Sequence, residues 1–353
     1  IDSIKNVKIK NKIENFRKVI KKELDYIIIS PGIDIEKCKL SKFLKKNLKK
    51  INTDLDIFYS CFKKNKNITI TGTNGKSTTA KILYEVLKEQ KKDVRLVGNI
   101  GNPILLEKKI TNKTIFVIEA SSYQLEYSCQ FKSNVAAILN ISPDHLERHK
   151  TIKNYINAKF KLIKNQNKKD YAILNVNNYH IKQKLKDYRF LPKIIKVNEK
   201  IRTSTLKKIN NSYFMTQGNK ENLAFIFEIV KILKIKKTNL FKVLKRFKGL
   251  RYRQQIIFRS NRLTIINDSK STSFSSSASI LKKIKNVYWI VGGLAKKGDK
   301  LLIPKINCKN SKAYIFGRDK GFFMKKLKNV IEFESFIDLN SLIKKVFIDL
   351  KNK

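Results

Sequence analysis

Cysteine is scarce in this sequence of 353 residues, and long apolar runs are lacking. The cysteines are widely separated and form no Cys-x-x-Cys pair; they are Cys38, Cys61, Cys129 and Cys308. Neither a disulfide framework nor a zinc site is therefore indicated. No apolar run approaches the roughly 20 residues that a helix needs to cross a bilayer. We expect a soluble cytoplasmic protein with reduced thiols and no membrane partner.

Acidic residues are also few, since 28 Asp and Glu oppose 78 Lys and Arg and leave a formal charge of +50. A charge of this size would ordinarily indicate a nucleic acid or an anionic membrane as partner. The basic residues are mostly lysine and are spread along the whole chain, whereas phosphate-binding surfaces usually cluster them and add arginine forks. We interpret the charge as solvated helix faces that attract anionic substrates such as nucleotides, with no nucleic acid as partner.

The pattern of apolar runs predicts an α/β protein with more than one domain. At about 150 residues per domain, the chain is long enough for two or three. Its 42% of hydrophobic residues can form their cores. From Asn67 onward strands alternate with helices, which favours a parallel sheet covered by helices on both faces. The predicted strands are 68–70, 115–118, 135–139 and 171–175, and the predicted helices are 77–88, 152–164 and 221–233.

Changes of pattern divide the chain near residues 55 and 249. Residues 1–55 contain one strand at 26–29 and a lysine-rich helix, and we interpret them as a partial N-terminal domain. Residues 56–248 form the central unit. Residues 249–353 form a last unit, which begins with a predicted hairpin. Its predicted strands are 255–258, 263–266, 287–291, 313–316 and one near 330, and its predicted helices are 276–284, 322–327 and a final one.

A glycine-rich turn lies between the predicted strand 68–70 and the predicted helix 77–88. Its residues are Gly72, Thr73, Asn74, Gly75, Lys76, Ser77, Thr78 and Thr79. Glycines allow successive N–H groups to point at phosphates, and the helix N-terminus adds partial positive charge. Lys76 supplies a point charge and the Ser77 hydroxyl suits Mg²⁺. The turn therefore predicts an ATP-binding loop.

A carboxylate follows a neighbouring strand, because Glu119 stands directly after 115–118. The carboxyl end of a strand lies at the side of an open sheet where ligands bind, so Glu119 could hold Mg²⁺ opposite Ser77. Three strings here together resemble the Mur ligase family. They are a glycine four residues before Lys76, where the general phosphate-loop pattern has one six before it; Glu119-Ala-Ser-Ser-Tyr-Gln-Leu-Glu; and Asp144-His145 with Lys159 fourteen residues later.

The second string resembles the D-glutamate-adding ligases of this family in particular. The resemblance implies a multidomain α/β fold with a central P-loop ATPase-like sheet and a C-terminal Rossmann-like domain. It implies a reaction that uses ATP and two Mg²⁺ ions to join UDP-N-acetylmuramoyl-L-alanine to D-glutamate through an acyl phosphate. Lys76, Glu119, His145 and Lys159 would form the catalytic centre, with Lys159 carbamylated. The metal ligands would be Ser77, Glu119, His145 and Lys159.

Other motifs extend the resemblance over nearly the whole chain. ATP would also contact Asn222, Arg253 and Asp268, which stand in the family's nucleotide-binding strings although Gly218 replaces a histidine. Residues implied on the muramoyl-substrate side are Ser30, Asn99, Ser122 and Gln124, and residues implied near phosphate or the incoming amino acid are Lys270, Thr272 and Lys296. Family segments at both ends are missing, so we expect a truncated monomeric chain.

Three alternatives remain open at this point. Another Mur or folylpolyglutamate-type amide ligase would add a different amino acid, and the string around Gln124 argues against it. A basic nucleic-acid-binding ATPase would bind DNA or RNA in a salt-sensitive way. A fragment that folds and binds ATP without ligase activity is the third.

Overall fold

The computed structural model describes residues 24–186, 191–197, 201–282, 284–295, 299, 301 and 303–351. Its strands are β1 (Ile27–Ile28), β2 (Ile51–Asn52), β3 (Asn67–Thr71), β4 (Val94–Gly98), β5 (Ile115–Glu119), β6 (Val135–Ile138), β7 (Tyr171–Asn175), β8 (Lys193–Val197), β9 (Gln255–Arg259), β10 (Thr264–Asn267), β11 (Tyr288–Gly292), β12 (Lys312–Phe316) and β13 (Glu332–Ser335).

Helices connect most of these strands. They are α1 (Ser41–Lys46), α2 (Asp54–Cys61), α3 (Lys76–Glu89), α4 (Ser122–Glu126), α5 (Leu146–His149), α6 (Ile152–Lys164), α7 (Tyr179–Lys186), α8 (Thr203–Ile209), α9 (Gln217–Ile232), α10 (Lys237–Arg246), α11 (Phe274–Leu281), α12 (Lys320–Leu327) and α13 (Leu339–Lys351). No helix in these described ranges is long and apolar enough to cross a bilayer.

The central unit is a six-stranded parallel sheet with the order β4-β5-β3-β6-β7-β8. Alternate residues of its strands face opposite sides. Ile68 and Ile70 pack with helices α3, α9 and α10 on one side, whereas Phe116 and Ile118 pack with α2, α4 and α6 on the other. A parallel sheet buried on both faces explains why its strands are nearly continuous apolar runs. The predicted α/β fold with a central parallel sheet is confirmed.

Helix α6 brings a charged residue into this core. Thr151 caps the helix, its side chain accepting from the Asn154 N–H at 3.1 Å, which satisfies a free donor of the first turn. The buried face carries Tyr155, Lys159 and Ile163 at a spacing of four residues, which places them on one side of a helix. Lys159 therefore points toward the sheet instead of solvent.

The last unit contains a smaller parallel sheet with the order β11-β12-β13. Its core includes Phe274, Leu281, Ala313, Ile315 and Leu327 from the strands and from helices α11 and α12. The predicted hairpin is present as the antiparallel pair β9 and β10, whose register shifts between Ile265 and Ile266. Parallel strands that alternate with helices agree with the predicted Rossmann-like character of this unit.

The described part of the N-terminal unit is small and packs through Ile29, Ile35, Leu44 and Ile51. The predicted boundary between residues 55 and 56 falls inside α2, whose Leu55 and Phe58 belong to the core of the central sheet. Helix α2 therefore packs with the central sheet, and the boundary near residue 55 stays a prediction. Residues 1–23 of the predicted partial domain lie outside the described residues, and the boundary at 248/249 stays a prediction.

Candidate active site

The predicted phosphate loop, residues 72–79, lies at the carboxyl end of β3, which has β5 on one side and β6 on the other. Strands β4 and β5 lie on one side of β3, and the later strands β6, β7 and β8 follow on its other side. Ligands of open α/β sheets bind at such a switch in strand order. The segment after β6 holds the loop, because the Thr73 N–H donates to the Asn140 carbonyl at 2.9 Å and the Asn74 N–H to the Asn140 side chain at 2.8 Å.

Gly75 and Asn222 are in close contact within this loop. Gly75 precedes α3 with a φ of +86°, a conformation that L side chains rarely adopt. A Cβ atom at this position would lie 2.1 Å from Asn222 Oδ1. Two predicted nucleotide-binding residues that are far apart in sequence are therefore neighbours, and only glycine fits at position 75.

Two lysines meet at the loop. The Lys76 ammonium donates to the carbonyl oxygens of Gly72 at 3.0 Å and Thr73 at 2.8 Å. Lys159 is 1% exposed, and its ammonium donates to the same Gly72 oxygen at 2.8 Å. Burial, followed by the positive charge of Lys76, lowers the pKa of Lys159 well below its ordinary value. A neutral amine is therefore accessible at this position.

Glu119 lies beside the loop, since it pairs in register with Ile70 on the adjacent strand. It is fully buried, and its Oε1 atom accepts from the Asn99 side chain at 2.8 Å. Its Oε2 atom has no hydrogen-bond partner among the described residues. A buried carboxylate oxygen without a partner is costly, and a cation would satisfy it. Asn99, which was predicted on the substrate side, thus orients Glu119.

This environment fits a magnesium ion at a nucleotide. Ser77 is buried in the first turn of α3, and P-loop Mg²⁺ is held by few protein groups plus phosphate oxygens. Among the described residues no group of three or more His, Cys, Asp and Glu side chains could hold a metal by itself. The donor set therefore suits an ion that arrives with a nucleotide better than an all-protein metal site.

His145 precedes the short helix α5 in the left-handed conformation, with a φ of +55°. Its Nδ1 atom is 3.0 Å from the Tyr123 hydroxyl, and its Nε2 atom is 3.4 Å from Asp144 Oδ2. The negative charges of Asp144 and Glu119 both act on Lys159. The segment with His145 and the loop therefore share one electrostatic environment.

The other residues implied on the muramoyl-substrate side have different surroundings. Ser122 is buried, and its hydroxyl is 3.0 Å from His149 Nε2. The Gln124 side chain accepts from the Ser121 N–H at 3.0 Å and donates to Asp54 Oδ2 at 3.1 Å. Gln124 therefore caps helix α4 and joins it to α2. Ser30 is exposed.

Two implied residues of the last unit, Arg253 and Asp268, lie near Tyr213 of the central unit, because their charges act on it. Asp268 accepts from the Gln254 N–H at 3.0 Å and the Ser271 hydroxyl at 2.6 Å, and the charge of Arg253 acts on it. Ser276 donates to the Asn74 side chain at 3.3 Å.

The remaining predicted residues differ in exposure. Thr78 Oγ1 is 3.4 Å from the Tyr213 hydroxyl. Thr79 is buried, Lys270 and Thr272 are exposed, and Lys296 lies outside the described residues.

Sequence reasoning missed His149 as a candidate residue. The structure buries it in α5, with Tyr123 and Tyr155 as ring neighbours at 5.6 and 5.3 Å. The one local signal was its position four residues after His145, which implies the same helical face. Its contact with Ser122 depends on the fold and leaves no trace in the local sequence.

Comparison with known proteins gives one family. Residues 70–237 match the model of the Mur ligase middle domain. The UDP-N-acetylmuramoylalanine–D-glutamate ligase of Rickettsia felis is 33% identical to this chain. The match covers 88% of this chain and 72% of that ligase. The ligase of the same name from Francisella tularensis subsp. novicida is 34% identical, and the match covers 88% of this chain and 74% of that ligase.

Solved structures agree in fold at low sequence identity. MurF from Acinetobacter baumannii has a TM-score of 0.64 at 15% identity over 84% of this chain and 73% of its own. MurF ligase from Thermotoga maritima in complex with ADP has a TM-score of 0.59 at 15% identity, and the match covers 87% of this chain and 84% of that protein. At this identity the likeness establishes the fold alone.

Proposed function

The chain belongs to the Mur ligase family, and we propose that it uses ATP to join D-glutamate to UDP-N-acetylmuramoyl-L-alanine in peptidoglycan synthesis. One observation carries the site assignment. Lys76 and Lys159 meet at the Gly72 carbonyl beside Glu119, a buried carboxylate with one oxygen that lacks a partner among the described residues. This arrangement places the Lys76 cation, the Lys159 amine and a buried carboxylate oxygen at a helix N-terminus, which suits the terminal phosphate of a nucleotide with its magnesium ion.

The reaction has two steps. A carboxylate oxygen of the alanyl group attacks the γ-phosphorus of ATP, the bond from that phosphorus to the bridging oxygen breaks, and ADP leaves with the electron pair. The uncharged amine of D-glutamate then attacks the carbon of the acyl phosphate. Phosphate leaves with the C–O electron pair and the amine loses a proton, so an amide remains. Loop N–H groups and Lys76 hold the phosphates and neutralise their charge, so the protein contributes mainly placement and electrostatics.

Magnesium would be held by Ser77 and Glu119, and a second ion by His145 and a carbamylated Lys159. When bound, these ions neutralise charge on the phosphate and on the forming acyl phosphate. Carbamylation requires a neutral amine, which adds to CO₂ to form an N–C bond and releases one proton. The lowered pKa of Lys159 supports this step, because burial beside Lys76 disfavours its ammonium form.

The remaining predicted residues divide by substrate. Asn222, Arg253 and Asp268 bind the nucleotide, and Ser30, Asn99, Ser122 and Gln124 form the muramoyl-substrate side. Lys270 and Thr272 approach phosphate or the incoming amino acid, and Lys296 pairs with the D-glutamate side chain, when the last unit closes over ATP. The exposure of Lys270 and Thr272 leaves them accessible for this closure. We place the enzyme in the cytoplasm as a monomer, without a nucleic acid or membrane partner.

An amino-acid panel tests the function. The protein receives ATP, Mg²⁺ and UDP-N-acetylmuramoyl-L-alanine with one amino acid at a time, and the products are weighed by mass spectrometry. Amide product with D-glutamate alone is expected. Amide with another amino acid would assign a different ligase of this family. ATP hydrolysis that ignores the muramoyl substrate and rises with DNA or RNA would replace the ligase by a nucleic-acid-binding ATPase.

A further inference from the structure

His149 contacts side chains from several parts of the candidate site. Its Nε2 atom is 3.0 Å from the Ser122 hydroxyl. Its ring packs against Tyr123, whose hydroxyl is 3.0 Å from His145 Nδ1. The ring also packs against Tyr155, whose hydroxyl is 3.1 Å from Thr73 Oγ1. One side chain therefore connects the muramoyl-substrate side, the proposed second metal position and the phosphate loop.

The surroundings of His149 favour an uncharged ring. The residue is 2% exposed. Burial disfavours the charged imidazolium form of this ring. An uncharged imidazole has one nitrogen that donates and one that accepts. Its Nδ1 atom lies 3.6 Å from Glu126 Oε1 and has no hydrogen-bond partner among the described residues.

The contact between His149 Nε2 and the Ser122 hydroxyl can form with the ring proton on either nitrogen. If the proton is on Nδ1, Nε2 accepts from the Ser122 hydroxyl, and the Ser122 oxygen keeps its lone pairs available for a substrate donor. Glu126, on the Nδ1 side of the ring, is held by Arg148, whose Nε atom donates to Glu126 Oε2 at 2.9 Å.

We propose that His149 is a positioning residue of the ligase reaction, which fixes the Ser122 hydroxyl and the rings of Tyr123 and Tyr155 in one arrangement. The inference rests on the proposed function and adds a residue to it. His149 does not itself touch a reacting atom. It acts through Ser122 on the muramoyl substrate, while Tyr123 and Tyr155 transmit its position to His145 and Thr73.

The kinetic test compares two substitutions. His149→Phe keeps a ring but removes both nitrogens, and His149→Gln keeps a polar atom that can reach the Ser122 hydroxyl. We expect His149→Phe to lower kcat/KM for the muramoyl substrate by roughly tenfold or more, since small misplacements are expensive in catalysis. The KM for ATP should change by a smaller factor, because Tyr155 stands between His149 and Thr73, and His149→Gln should recover part of the loss. His180→Phe makes the same change on helix α7 and should leave all constants unchanged.

A double-mutant cycle with Ser122→Ala isolates the contact. If His149 acts through Ser122, the double variant loses little more than either single variant. A second readout needs no turnover: the ¹⁵N shift of His149 Nε2 should report a neutral, hydrogen-bonded nitrogen that changes in Ser122→Ala.

Several results would overturn the inference. These are a His149→Phe variant within twofold of the unchanged protein, losses that add in the cycle, or a ¹⁵N shift indifferent to Ser122→Ala. If His149→Phe does not fold, the ¹⁵N shift of His149 Nε2 in the unchanged protein and in Ser122→Ala decides. Absence of amide product from the unchanged protein would instead reject the proposed function. The ¹⁵N measurement would still show whether His149 Nε2 is hydrogen-bonded to Ser122, because it does not require turnover.

Discussion

The ammonium groups of Lys76 and Lys159 donate to one carbonyl oxygen, that of Gly72, at 3.0 and 2.8 Å. Two cations that share an acceptor repel each other, and Lys159 is the buried one. Its pKa is lowered as a result, first by burial and then by Lys76. The buried member of the pair therefore provides a neutral amine beside Lys76 at the phosphate loop.

Carbamylation of Lys159 predicts a dependence on CO₂. Depletion of CO₂ should lower ligase activity, bicarbonate should restore it, and ¹³C-bicarbonate should give a carbamate signal by NMR. Lys159→Met should lose the signal and about a hundredfold in kcat, the scale of losing one electrostatic group in a site. Lys164→Met on the exposed end of the same helix is the control. An unchanged carbamate signal in Lys159→Met would refute the assignment.

Glu119 should control the magnesium requirement. Glu119→Gln keeps the size of the side chain and the acceptor for Asn99 but removes the anionic oxygen, so the Mg²⁺ concentration for half-maximal activity should rise. We expect kcat to fall about a hundredfold at ordinary Mg²⁺. Glu89→Gln breaks surface ion pairs with Lys242 and Arg246 and should leave the Mg²⁺ titration unchanged. Equal titration curves for Glu119→Gln and the unchanged protein would contradict this role.

Gly75 should tolerate no side chain. Gly75→Ala places a Cβ atom 2.1 Å from Asn222 Oδ1 in a left-handed backbone, a conformation that alone costs about 1–2 kcal/mol. ATP affinity, measured by calorimetry, should fall by about tenfold or more. The control is Gly321→Ala, where no atom lies within 4 Å of the added Cβ. The loop geometry would be wrong if Gly75→Ala bound ATP normally.

His149 should lower stability in acid. Because its pKa falls from 6.5 in the unfolded chain to about 4 when folded, the unfolded state binds the extra proton between these pH values. Stability is therefore lost as pH falls from about 6.5 toward 4, by about 3 kcal/mol in total. Relative to the unchanged protein, His149→Phe should gain in Tm as pH is lowered through this window. A Tm difference that stays constant from pH 7 to 4.5 would show that His149 does not titrate this way.

Much of the fold could be predicted because buried elements have clear patterns. The predicted helix 152–164 and the predicted strand 171–175 have the same bounds in the structure. Edge strands were missed. Val94–Gly98 and Lys193–Val197 lie at the two ends of the sheet, and basic residues interrupt their apolar residues. An edge strand needs less apolar surface than a central one, so its pattern is weaker.

The candidate site was predictable where its chemistry is local. Lys76 and Ser77 follow directly from the loop, and Glu119 from its place at the end of a strand. Contacts made only by folding were not predictable, such as that between Gly75 and Asn222 or between Ser122 and His149. Gln124 shows the converse, because this predicted substrate residue also caps helix α4 and contacts Asp54.

Transfer of oxygen from the carboxylate to phosphate tests the central claim most directly. The protein is given ATP, Mg²⁺, D-glutamate and UDP-N-acetylmuramoyl-L-alanine labelled with ¹⁸O in both carboxylate oxygens, and the released phosphate is weighed. An acyl phosphate predicts one ¹⁸O atom in each phosphate, together with the amide product. Unlabelled phosphate, or phosphate released equally without the muramoyl substrate, would contradict the account.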